Sequence, residues 1–86
     1  MSLPKWQQLI DSLGPLADSE PGAKHTTYRL AREYNGWARL NGASRVTVTE
    51  LETALKRHTT LESGWLSSSW VWSLTREGLE CRNWHT

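Results

Sequence analysis

The sequence predicts a small α+β domain, three helices followed by a C-terminal β-hairpin, with residues 1–86 forming one unit. Three observations carry that prediction. A length of 86 residues and a mass of 9.8 kDa allow one domain and no second. Apolar residues recur at three- and four-residue spacings over three separate stretches, the mark of amphipathic helices. Trp70, Trp72 and Leu74 then alternate with Val71, Ser73 and Thr75, as a strand with one buried face requires.

In the first helix, expected over residues 3–13, Leu3, Trp6, Leu9, Ile10 and Leu13 share one side. Ser2 can cap it, Pro4 suits its first turn, and Gly14-Pro15 is expected to stop it. Residues 14–26, with two prolines and two glycines, then read as a flexible connector. The second helix is expected from about Thr27 to Asn41. Leu30, Ala31, Tyr34, Trp37 and Ala38 form its apolar face, and Asn41-Gly42 supplies a left-handed stop. Gly36 inside it costs about 1 kcal/mol relative to alanine, which burial of Tyr34 and Trp37 can offset.

A short extended piece, Arg45–Thr47, precedes the third helix. There Thr47-Val48-Thr49-Glu50 has the capping-box form, in which the threonine accepts from the third amide and the glutamate reaches back. Leu51, Ala54, Leu55 and His58 make that helix's apolar stripe, with His58 expected as a satisfied core residue. For the last third, Trp70–Thr75 and Leu79–Trp84 read as the two strands of a hairpin turned at Arg76-Glu77-Gly78. A helix over Ser68–Glu77 ending at Gly78 is the alternative. Helix, helix, short strand, helix and hairpin is the order expected of a winged helix-turn-helix domain, in which a helix enters the major groove and the hairpin touches the backbone.

Composition bounds the function. Ten Lys+Arg against nine Asp+Glu leave a formal charge of +1, which excludes a highly charged tail or an acidic disordered activator. Six tryptophans and two tyrosines accompany no phenylalanine, so a few large indoles are expected to supply much of the core. Trp6, Trp37, Trp70 and Trp72 fit core positions; Trp65 and Trp84 are candidates for exposure. A single cysteine, Cys81, rules out an internal disulfide and fits a reducing compartment. No stretch is long and apolar enough to span a bilayer, and no signal peptide is visible, so a cytoplasmic, intracellular location is expected.

The run Leu30-Ala31-Arg32-Glu33-Tyr34-Asn35-Gly36-Trp37-Ala38-Arg39-Leu40-Asn41-Gly42 resembles the "L-x-x-x-Y-x-x-W-x-x-x-N-G" opening of a winged-helix family. That family is the C-terminal domain of phage, plasmid and poxvirus D5-type primase–helicases. The resemblance continues in register through Val46-Thr47, Glu50-Leu51 and Ala54-Leu55 and so covers residues 30–55. It rests mostly on core and cap positions and implies a DNA-associated module from a replication or mobile-element setting. The chain departs from the family in carrying no ATPase or primase and fewer basic residues.

Beside the resemblance stands one charge asymmetry. Residues 24–45 hold five basic residues, Lys24, Arg29, Arg32, Arg39 and Arg45, against one acid, Glu33. Tyr28, Arg32, Asn35 and Arg39 recur at i, i+4, i+7 and i+11, a stripe beside the apolar face. Arginine forks match phosphate oxygens, so Arg29, Arg32, Asn35, Arg39 and Arg45 are candidate nucleic-acid contacts. An ordinary solvated helix face is the competing reading. On the third helix Thr53, Lys56 and Arg57 are candidates for base edges and phosphates, although Glu50 and Glu52 in the same turns repel phosphate. Arg76 at the expected turn and Arg82 on the expected return strand would be wing contacts.

The expected partner is double-stranded DNA. The alternative is a small adaptor or inhibitor binding another protein through Trp65 and Trp84, since tryptophan is enriched among interface hot spots. Pairing of the hairpin's edge with a second copy would give a homodimer. No catalytic residues, metal ligands or cofactors are expected, and so no enzyme activity. His25, His58 and His85 are scattered, no nucleophile elbow or glycine-rich phosphate loop occurs, and Cys81 and His85 lack further ligands at zinc-like spacing.

Overall fold

A computed structural model describes residues 3–81, in the order α1 (Trp6–Ser19), β1 (Lys24–Thr26), α2 (Thr27–Asn41), α3 (Val48–His58), β2 (Glu62–Leu66), β3 (Ser69–Ser73) and α4 (Arg76–Glu80). The described residues thus form a small α+β domain of four helices and a three-stranded antiparallel sheet, ordered β1-β3-β2.

Helices α2 and α3 follow the local signals. Thr26 Oγ1 accepts from the Arg29 N–H at the start of α2, and Gly42 closes it in the left-handed region at φ 68°. The capping box of α3 is complete: Glu50 N–H donates to Thr47 Oγ1, and Thr47 N–H donates to Glu50 Oε1. His58 lies half-buried in its last turn.

Several expectations are corrected. Helix α1 starts at Trp6 and does not stop at Gly14-Pro15 but runs through them to Ser19. Pro15 removes one helical hydrogen bond and crowds the preceding turn, costing about 3 kcal/mol. Its ring faces solvent, however, and continuing the helix buries Ala17 and part of Leu16 along the stripe begun by Leu9 and Leu13. Gly14 is buried because the Arg76 guanidinium lies across it; a Cβ there would stand 2.5 Å from Arg76 Nη2. The expected connector 14–26 is therefore helical to Ser19 and enters the sheet at Lys24.

The extended piece Arg45–Thr47 is not a strand. The Asn35 side chain takes both backbone groups of Val46, donating from Nδ2 to its carbonyl (2.9 Å) and accepting its N–H at Oδ1 (2.8 Å). The strand sits ahead of α2 as β1, where His25 pairs with Trp72.

The hairpin lies earlier than expected, as β2 and β3 joined by Ser67-Ser68, and residues 76–80 form α4 instead of a turn and return strand. Both serines adopt left-handed φ values, 49° and 65°, which a two-residue hairpin turn demands and serine rarely supplies. Thr75 caps α4 by accepting from the Gly78 N–H, so Arg76 lies at a helix start and not on a hairpin turn. The alternative helix over Ser68–Glu77 is absent too, since 69–73 is strand. The return strand expected to Trp84 reaches beyond the described residues, where Arg82 and Trp84 lie.

Leucine, not tryptophan, dominates the core. Seven leucines (9, 13, 30, 51, 55, 74 and 79) are fully buried with Tyr34 and a single indole, Trp72. Trp6, Trp37 and Trp70 pack against this cluster while remaining partly exposed. Trp6 Nε1–H donates to the Leu79 carbonyl (2.8 Å), tying α1 to α4. Arg76 reinforces that seam with a two-pronged pair to Asp18, both contacts at 2.8 Å. The Arg76 hydrogen bonds hold the Asp18 carboxyl below its ordinary pKa, and Asp18 in turn raises that of Arg76.

Candidate nucleic-acid interface

On α2, residues four and seven apart share a face because the helix turns once every 3.6 residues. Arg32, Asn35 and Arg39 stand together there for that reason. Tertiary structure adds Arg45, which sits in the segment between α2 and α3 that Asn35 pins through Val46. Arg32, Asn35, Gly36, Arg39 and Arg45 line one open depression of about 410 Å³. An added Cβ at Gly36 would meet nothing within 4 Å, so the depression is open space at that position.

The electrostatics of this depression are one-sided. Among the described residues, the ion pairs are Lys56 with Glu52 and Arg76 with Asp18; Arg32, Arg39 and Arg45 enter neither. All three are exposed. Guanidinium groups carry fixed charge and five donors each, so three of them around one hollow suit an anion with several oxygens, such as a backbone phosphate.

The other expected contacts are dispersed. Arg29 is exposed in the first turn of α2, outside the depression. Asn35 positions Val46 with both ends of its amide and has a structural part. Thr53 is exposed and donates to the Thr49 carbonyl (3.0 Å). Lys56 pairs with Glu52 (3.7 Å) and stands 5.2 Å from the centroid of the Trp70 ring. Arg57 is exposed in the last turn of α3, where a cation suits the helix dipole. Arg76 belongs to the α1–α4 seam on Asp18, away from the hairpin turn.

A second concavity lies at the hairpin tip. The starts of α2 and α3 and the strand ends enclose a groove of about 270 Å³, lined among others by Tyr28, Val48, Glu52, Trp65 and Trp70. Trp65 is 69% exposed and Tyr28 63%. The Trp65 and Trp70 rings are 6.3 Å apart and tilted by 50°, so they do not stack face to face. Sequence reasoning singled out Trp65 but missed this grouping. The available signal was Tyr28, one helical turn ahead of Arg32 on the same stripe.

Among the described residues no cluster of His, Cys, Asp and Glu is arranged to hold a metal ion, and no helix is long and apolar enough to cross a membrane. Cys81 is an exposed free thiol. No family model, curated protein or solved structure matches the chain.

Proposed function

We propose that this chain is a winged-helix domain that binds double-stranded DNA and acts in the replication or transcription control of a phage or mobile element. The observation that carries the binding reading is the convergence of Arg32, Arg39 and Arg45, unpaired among the described residues, on one depression. The winged-helix reading is supported by a strand ahead of two successive helices, a hairpin after them, and a sheet ordered β1-β3-β2. The setting is supported only by the resemblance of residues 30–55 to the D5-type domains.

A labelled duplex titrated at low and moderate salt tests the binding. Affinity should fall with salt at a slope near −0.9 per phosphate contacted. The combined variant Arg32→Ala/Arg39→Ala/Arg45→Ala should weaken all sequences alike and reduce that slope by about 2–3. Absence of duplex binding at low salt would overturn the proposal. Exposure of Trp65 and Leu66 at the hairpin tip favours a second reading, a protein-binding adaptor or inhibitor. That reading requires duplex DNA to leave both mobility and tryptophan fluorescence unchanged.

A further inference from the structure

We propose that the groove at the hairpin tip receives one unpaired nucleobase, so that the protein prefers a junction of duplex and single strand over a continuous duplex. The proposal rests on the nucleic-acid reading above and assigns the groove a part in it. Its size fits: about 270 Å³ lies just under the roughly 300–1,000 Å³ typical of pockets for drug-sized ligands and suits a single ring system. Its walls fit as well. Tyr28 and Trp65 present large exposed aromatic surfaces, and the tilt of Trp65 against Trp70 leaves the Trp65 ring without a stacked neighbour. Every base has a π-face that can stack on such a ring whatever its sequence.

Glu52 lines the groove half-buried and paired with Lys56 at 3.7 Å, and its carboxylate oxygens can still accept from the exocyclic amine of a base. The aromatic walls suit the base, and the arginines outside the groove suit the backbone. The backbone has its own track: Tyr28, Arg32 and Arg39 lie on one face of α2, four and eleven residues apart, and the last is about 16 Å from the first at 1.5 Å per residue. A strand whose phosphates lie on the arginines is thereby led to the groove. A duplex base has both faces stacked and offers none to Trp65; an unpaired base does. The groove itself is lined mostly by apolar surface, and it is the arginine row on the neighbouring face of α2 that favours a nucleic-acid strand as its occupant.

The test compares three labelled probes on the full chain: a blunt duplex, the same duplex with a single-stranded overhang several nucleotides long, and the free single strand. The overhang should bind about tenfold tighter than the blunt duplex. Trp65→Ala should erase that preference without altering blunt-duplex affinity, and Trp65→Phe should keep part of it. The triple arginine variant should weaken both duplexes by one factor and preserve their ratio. Equal binding of blunt and overhanging duplex by the unaltered chain, or a preference that survives Trp65→Ala, overturns the groove proposal and leaves duplex binding standing. Trp65-dependent binding of the single strand with no duplex binding supports the groove and overturns the duplex reading. Failure of all three probes overturns both.

Discussion

Trp72 and Trp65 project from the same face of one hairpin, opposite Ser63 and Trp70 respectively, and meet different surroundings. At the base of the hairpin, Trp72 is 1% exposed and its Nε1–H donates to Thr27 Oγ1 (2.8 Å), the first residue of α2. At the tip, Trp65 is 69% exposed beside a groove. Strand alternation gives both indoles one side; the start of α2 decides which of them is covered. An identical residue on an identical face is therefore scaffold at one end and available surface at the other.

Four measurements sharpen or break that contrast. Trp72→Ala should destabilise the fold by about 3–5 kcal/mol, most of a small domain's stability; a loss in denaturant titration below about 1 kcal/mol would erase the distinction between base and tip. Asn35→Ala is an intermediate case, because the residue is only half-buried yet holds Val46 by two bonds. It should cost about 1–3 kcal/mol. It should also weaken duplex binding by releasing Arg45, although Asn35 itself is engaged elsewhere; unchanged affinity would show that Arg45 needs no such anchor.

Trp65→Ala should change stability by no more than about 0.5 kcal/mol. A larger loss on thermal melting would make the tip part of the core. The smallest effect belongs to Asp18, whose carboxyl is held below its ordinary pKa by Arg76. Its contribution is present above the unfolded-state pKa and lost as pH falls through the lowered folded-state value. The difference in melting temperature between the unaltered chain and Asp18→Asn should be small near neutral pH. It should shrink further under strongly acidic conditions and in high salt, since the pair is solvent-exposed. A difference that grew on acidification would contradict this.

The legible parts of the sequence share a property: their signals act within one helical turn or one face. The α3 capping box, the Gly42 stop and the apolar face of α2 each involve residues close in sequence, and each appears where it was read. The misread parts depend on partners far away. Gly14-Pro15 looks like a stop until Arg76, far along the chain, is laid over Gly14. Arg45–Thr47 reads as a short strand until Asn35 is found on Val46, eleven residues ahead, holding the backbone groups a strand partner would take. Ser67-Ser68 carries none of the usual residues for a tight left-handed turn, and pairing of Trp65 with Trp70 holds it in that conformation. The same division runs through the candidate sites. Arg32 and Arg39 were readable from helical spacing, whereas Arg45's place beside them and the loss of Arg76 to Asp18 were not.

Helix periodicity and caps are short-range physics, so local residues suffice to place the starts of α2 and α3, their apolar faces and the arginines on a neighbouring face. That leucines, with one indole, fill the core, that Asn35 is an anchor, and that the hairpin tip is left open between two helix starts all came from the packing. Each of those outcomes depends on which distant surfaces cover which, and coverage is a property of the packed chain.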